Sequence, residues 1–339
     1  MLGEGIAIST IPLHLLSFGA SPLQVGLATS CFSVAQMICC PILVSASGKL
    51  GRLRVLRTCL AGAAFASLLI SFSDSIAGIL LGRFLAGAFG ASVPVAQAAV
   101  TDIVTDGAAT ALSRVAAASQ LGVVVGPAAS AFFAALLGKT FGWPADLCVR
   151  GVFGCMGLAA LSVLALSVLL SPGGISSANT SPTKAVQTSG DVPSWGLAQP
   201  LLRMVALVIG WSLTLSVSTY CLFANRCLGY DQQRLSLIFS TGAATTVLTQ
   251  LVLFPALVNC FGPNLTCFLG IICVALGLSG FSLCWHQPGH LLFYLLTRMG
   301  SGCADTSTVT LVAKGSKPQD RARNLGLITS TRAAARIVT

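Results

Sequence analysis

Glutamate occurs once in this 339-residue chain, at Glu4, and Asp and Glu together number nine against nineteen Lys and Arg. Only 8% of the residues are charged. A soluble domain carries about a quarter, so a water-covered globule of this length is excluded. No G-x-x-x-x-G-K-[ST] loop occurs, and energy from ATP is not indicated. His14, His286 and His290 lie near predicted membrane ends, and neither a Ser-His-Asp arrangement nor a metal cluster stands out. The 13 cysteines fall mostly inside apolar segments (Cys31, Cys39, Cys40, Cys155, Cys221, Cys273) at no metal-ligand spacing, and read as small buried hydrophobes. Neither enzyme chemistry nor a cofactor or metal is expected.

What remains is apolar length. The chain is 55% hydrophobic with a mean hydropathy of +0.87. Residues 23–48, 58–73, 115–138, 151–183 and 204–225 hold no Asp, Glu, Lys or Arg, and 235–304 hold only Arg298. A bilayer crossing needs about 20 apolar residues, so the fold class is all-α, multi-pass membrane. Gly and Pro punctuation places helices near 2–18, 22–44, 54–73, 76–100, 112–137, 148–170, 201–224, 232–257, 264–284, 290–313 and 323–339. The interval 171–200, rich in Ser, Thr, Pro and Gly, reads as a flexible linker with six helices before it and five after. Domains are therefore expected at 1–170 and 201–339.

The net charge of +10 then speaks of orientation, because Lys and Arg prefer cytoplasmic loops, and no nucleic-acid partner is expected. One alternate set of loops (45–57, 101–114, 171–203, 258–263, 314–323) carries eleven Lys and Arg, and the opposite set carries four. The first set, including the linker and the basic stretch "SASGKLGRLRVLR", is expected in the cytoplasm. Asn179 and Asn264 match the glycosylation pattern but fall on that side, so neither is expected to be modified.

The two parts of the chain repeat. "AQMICCP" (35–41) and "TQLVLFP" (249–255) share Gln36/Gln250 and Pro41/Pro255 at an offset of 214. "LLGRFLAGAFG" (80–90) and "LLTRMGSGCAD" (295–305) share Arg83/Arg298 at an offset of 215. Parallel repeats about an axis normal to the membrane are a transporter architecture.

With these residues in view, the chain resembles the major facilitator superfamily over its whole length. The family's loop between helices 2 and 3 has the form G-x-L-x-D-R-x-G-R-R. "VSASGKLGRLR" from Val44 is similar to it, with Lys49, Gly51 and Arg52 in register and Gly48 in place of the Asp. "GASPLQVGL" (19–27) and the helix-4 pattern Arg83-x-x-x-Gly87 followed by "VPVAQAAVTDI" are typical of the family. "IPLHLLSFGAS" and the helix-5 stretch "GVVVGP" (Gly122, Gly126, Pro127) resemble the drug:proton antiporter branch that includes tetracycline-efflux-like proteins. That motif continues as "GPAASA", with small residues where the branch has glycines. The resemblance implies two pseudo-symmetric six-helix bundles, with helices 1, 4, 7 and 10 lining a central cavity. Against the family's twelve helices, the chain is expected to be incomplete at both ends.

An ionised group at mid-membrane costs about 2.5–3.5 kcal/mol on insertion scales, so each interior charge calls for a reason. Glu4, Arg83, Arg298, Asp305 and Arg332 qualify. Arg83 is either a packing residue bound to backbone carbonyls or part of coupling. Arg298 stands seven residues before Asp305 on nearly the same helix face, where an ion pair between them is either structural or functional. Glu4 and Asp305 lie at similar depth and are candidate proton carriers. Trp211 and Tyr220 on helix 7 are packing or interface residues, or ligand contacts. Arg332 and Arg336 are read as reaching the edge of helix 11. The expected function is proton-coupled export of a small organic solute by alternating access, with substrate, protons and lipid as partners. A facilitative or symport nutrient carrier and a non-transporting scaffold or receptor remain open.

Overall fold

The computed structural model describes residues 1–104, 107–170, 198–228, 232–283 and 287–337, and among these the chain is helical with no strand. The helices are α1 (Leu2–Ser17), α2 (Pro22–Leu50), α3 (Arg52–Phe72), α4 (Ile76–Ala88), α5 (Ser92–Ile103), α6 (Ala108–Phe141), α7 (Ala145–Leu169), α8 (Ala198–Leu228), α9 (Gln232–Leu248), α10 (Phe254–Leu283), α11 (Gln287–Gly315) and α12 (Pro318–Ile337). A π-helical turn over Thr249–Leu253 joins α9 to α10 without interruption. The linker expected over 171–200 falls almost wholly outside the described residues.

Local chemistry explains the starts and breaks. "GASPLQ" is a turn and a capping box. Gly19 takes φ +74°, Pro22 starts α2, the Gln24 amide donates to Ser21 Oγ at 3.4 Å, and the Ser21 amide donates to Gln24 Oε1 at 2.8 Å. The basic stretch 45–57, expected as a loop, is instead the end of α2 and the start of α3, joined by one residue. Gly51 makes the junction at φ +97° and ψ 136°, a conformation that residues with a Cβ rarely adopt. The expected helix 4 is broken into α4 and α5, since Phe89 and Ala91 sit near φ −93° and ψ 8–9°. Gly62 of α3 accommodates the break, because a Cβ there would meet the Phe89 ring at 2.1 Å. The expected helices 8 and 9 run together through α10, parted only by Gly262 (φ 77°, ψ 166°) before Pro263.

Six segments among the described residues are long and apolar enough to cross a membrane: Leu23–Leu50, Arg52–Phe72, Ile76–Ile103, Ala108–Phe141, Leu147–Leu169 and Ile238–Gly280. The last covers two helices across Gly262. α11 and α12 are not among them, and these two carry Arg298, Asp305, Arg332 and Arg336. Such polar helices are stable in a bilayer when they face protein or a water-filled path rather than lipid.

Two apolar clusters hold the bundle. One unites both parts of the chain near the basic end, where Cys40 and Val44 of α2 and Val95 and Ala98 of α5 pack with Val312 of α11 and Leu325 of α12. The other, built on Ile6, Leu15, Ala28, Ile70, Ile79 and Phe153, draws only on the first part. The cross-part seam is close. A Cβ on Gly326 would lie 2.9 Å from Pro41 Cα and 3.1 Å from Val44 Cβ, and Ser330 Oγ donates to the Met37 carbonyl. Without a hydrophobic drive between helices in lipid, small residues and interhelical hydrogen bonds of this kind supply the association.

Candidate functional site at the junction of the two parts

The break in helix 4 frees backbone groups that an unbroken helix would pair. Gln36 Nε2, on α2, donates to the Gly90 carbonyl at 3.1 Å, and Gln36 Oε1 accepts from Arg336 at 3.2 Å. The other terminal nitrogen of Arg336 meets Glu4 Oε1 at 2.9 Å. One continuous polar chain therefore runs from the α4–α5 break through α2 and α12 to α1. Glu4 is largely withdrawn, with 14% of its side chain exposed, while Arg336 keeps 31%.

Glycine seats α1 where Glu4 can take part. Pro127 has no N–H, so the Val123 carbonyl one turn earlier receives no hydrogen bond from it. Gly5 lies against that carbonyl, and a Cβ on Gly5 would sit 2.4 Å from it. A Cβ on Gly126 would lie 2.5–2.6 Å from the backbone of Gly5 and Ile6, and one on Gly122 would lie 3.0 Å from the Leu2 nitrogen. Thr10 Oγ1 and Ser130 Oγ add a hydrogen bond of 2.8 Å one further turn along. Gly122 and Gly126 of the helix-5 motif thus pack against the stretch of α1 that carries Glu4.

Asp305 has a different partner from the one its spacing suggested. It pairs with Arg332 of α12, which also donates to the Asp305 backbone carbonyl at 3.3 Å. Side chains on a helix tilt toward its N-terminus, so Arg298 turns away from Asp305 and lies over the Tyr294 ring at 5.6 Å. Arg332 and Arg336, four residues apart, share a face of α12. They hold the two interior acids; the sequence singles out Arg332 as an interior charge and Arg336 only as a residue reaching a helix edge. Two arginines one turn apart, with no acid nearer in α12 than Asp320 in its first turn, were the available signal.

Arg83 is buried, at 5% exposure. Its guanidinium lies over the Phe32 ring at 4.4 Å, and its Nε donates to the Ala28 carbonyl at 3.4 Å. The repeat read in the sequence has a counterpart in the packing. A Cβ on Gly87 would lie 2.2 Å from the Phe32 carbonyl, and a Cβ on Gly302 would lie 3.5 Å from the Thr246 carbonyl. Those pairs are related by the offsets of 215 and 214. Trp211 is 45% exposed on α8 and stands outside the network. The Tyr220 side chain lies outside the described residues.

At the basic end, Arg52 forms an ion pair with Asp102 at 2.9 Å and donates to Ser47 Oγ at 2.6 Å. Arg321 of α12 donates to the neighbouring Thr101 carbonyl at 3.1 Å, tying α12 to the end of α5. Lys49 is exposed, and Gly48 has open space where a Cβ would be.

Residues 1–339 match the sequence profile of the Major Facilitator Superfamily. The chain belongs to that family. It is 38% identical over 104 residues to the class D tetracycline resistance protein of Salmonella ordonez, covering 30% of this chain and 26% of the relative. It is 23% identical over 263 residues to multidrug resistance protein 1 of Bacillus subtilis, covering 77% of this chain and 64% of the relative. The matched region thus spans about a quarter of the tetracycline resistance protein's length. Among solved structures, the human organic anion transporter MFSD10 (TETRAN) superposes with a TM-score of 0.77 at 19% identity, over 99% of this chain and 88% of that one. The proton:xylose symporter XylE gives 0.75 at 15% identity, over 99% and 83%. The fold is therefore the major facilitator fold and the protein is multi-pass in a membrane. Its relatives are named for resistance, efflux and transport, not for a chemical transformation.

Proposed function

We infer that this major facilitator protein is a secondary active transporter that exports a small organic solute in exchange for protons. The moving bodies are residues 1–170 and 201–339, joined by the 171–200 linker on the cytoplasmic side. The observation that carries this reading is the Glu4–Arg336 pair, which spans the junction between the two bodies. Rocking of one body against the other separates the pair and leaves a carboxylate without its counter-charge out of water. A proton is the smallest ligand able to neutralise it. Re-forming the pair expels that proton, and coupling follows if the two steps occur with the cavity facing opposite sides. Asp305, held by Arg332, is the second candidate carrier. Protons then bind from outside and leave to the cytoplasm as solute goes out.

Flux in vesicles under an imposed pH gradient tests it, with tetracycline, xylose and benzenesulfonate as probe solutes. Wild-type flux should follow the gradient, and Glu4→Gln and Asp305→Asn should lose that dependence. If both variants keep wild-type pH dependence at wild-type expression, the carboxylates are structural. Orientation is tested separately by cysteine substitution at Ser189 and Gly229. An impermeant reagent applied outside should label position 229 and spare 189; labelling of 189 from outside overturns the orientation.

A further inference from the structure

The junction of α9 and α10 holds polar groups that the network above does not use. In the π-helical turn Thr249–Leu253 the Phe254 amide donates to the Thr249 carbonyl, one residue further back than in an α-helix. Turns of this kind inside helices recur at functional sites. Gln250 lies in it at 1% exposure, and its Oε1 has no hydrogen-bond partner among the described residues. A buried acceptor left unpaired is destabilising. The repeat shows what Gln250 lacks. Its counterpart Gln36 uses both ends, on Arg336 and on the Gly90 carbonyl. At the repeat offsets, Arg336 corresponds to Gly122, which carries no donor side chain. Gly90 corresponds to Asp305, whose carbonyl sits inside unbroken α11 and accepts from Arg332. Thr249 is left over in the same way. Thr245 and Thr246 donate to carbonyls four residues earlier, whereas Thr249 Oγ1 makes no hydrogen bond among the described residues.

The same turn lines an open groove of about 400 Å³, to which Thr245, Leu248, Thr249, Val252, Leu253 and Ala256 contribute. That volume is within the ~300–1,000 Å³ of small-molecule sites, and no charged side chain lines it among the described residues. We propose that this groove binds the transported solute as an uncharged, mostly apolar ring bearing an N–H or O–H donor, which the two acceptors of the π-helical turn, Thr249 Oγ1 and Gln250 Oε1, receive. This names a solute class and a site for the transport reading and rests on that reading. Thr249 stands at the groove. Gln250 is enclosed beside it, and side-chain rotation on solute entry brings its Oε1 to the donor. A lipid chain would fill the apolar lining but offers neither acceptor a hydrogen, and an ion would find no counter-charge there.

The test uses the full-length protein carrying Val252→Cys at the groove. Labelling of position 252 by N-ethylmaleimide is followed by peptide mass spectrometry, with probe concentrations counted in the detergent phase. 1-Naphthol should slow the labelling saturably. 1-Methoxynaphthalene, which has the same rings and no donor, should need about tenfold more for the same protection. With Thr249→Val and Gln250→Leu together, that ratio should fall to about one. The proposal is overturned if neither probe protects, if both protect equally in the parent protein, or if the double variant keeps the ratio. It also falls if methyl decanoate protects as well as 1-naphthol, which would make the groove a seat for lipid chains. If the double variant does not fold, the single variants decide, and the proposal falls if neither lowers the ratio. Flux is measured separately in vesicles. Proton-driven flux without protection at position 252 overturns this site alone, whereas protection with no proton-driven flux of any probe overturns the transport reading and leaves the groove a binding site.

Discussion

Arg336 and Glu4 meet at 2.9 Å although 332 residues separate them in the chain. The contact joins the first helix to the last and closes a polar chain that also takes in Gln36 and the Gly90 carbonyl. Breaking one side of such a pair leaves the other charge in a poor solvent. Glu4→Gln and Arg336→Gln should each lower stability by about 2 kcal/mol, below the ~3–5 kcal/mol of a fully buried pair because Arg336 keeps 31% exposure. The double variant should lose less than the sum. Thermal unfolding of all four forms gives the coupling, and strict additivity would show that the pair contributes nothing as a pair.

The two repeat-related glycines should respond differently to alanine. At Gly87 the added Cβ would sit 2.2 Å from a backbone carbonyl, which must shift. At Gly302 the nearest atom is Thr249 Cγ2 at 3.4 Å, ordinary contact. Gly87→Ala should cost about 1–3 kcal/mol and Gly302→Ala close to nothing, read by unfolding in detergent.

Gly48 and Gly51 make a similar contrast for a conformational reason. Both have open space around them. Gly51→Ala should nonetheless cost about 1–3 kcal/mol, because φ +97° is strained for any residue with a Cβ. Gly48→Ala, inside α2, should be neutral or stabilising by up to about 1 kcal/mol. Equal effects of the two would contradict the one-residue junction between α2 and α3.

The α2–α12 seam offers a lock. The Cβ positions of Val44 and Gly326 are 3.1 Å apart, a little shorter than the ~3.5–4.5 Å of a disulfide. Cysteines at both positions should cross-link on oxidation with a small backbone adjustment. Solute flux should then stop, and a reducing agent should restore it. Flux that continues in the oxidised, cross-linked protein would show that this seam does not open during transport.

Much of the molecule was legible from composition and spacing. Apolar segments bounded by Gly and Pro placed eleven helices because a bilayer demands length and low charge, and these signals are local. The pairing of Gln36 with Gln250 and Arg83 with Arg298 was readable for the same reason. Motif residues were legible as types while their work was not. Gly122, Gly126 and Pro127 prove to seat α1, and Gly51 proves to be an entire junction between two helices.

Partner choice was decided only in three dimensions. Asp305 has an arginine seven residues away on its own helix, yet it pairs with Arg332 on another, because side-chain tilt carries Arg298 toward Tyr294. Glu4 has no cation near it in sequence and finds one at the far end of the chain. The break at Phe89–Ala91 has no Pro at its centre, and it forms where the Phe89 ring fits onto Gly62 and Gln36 can bond the freed carbonyl of Gly90. The sequence by itself determined that this chain must cross a membrane many times and that a few charges must be kept from lipid. Which of those charges neutralise one another depended on helices brought together across hundreds of residues, where packing rather than spacing sets the distances.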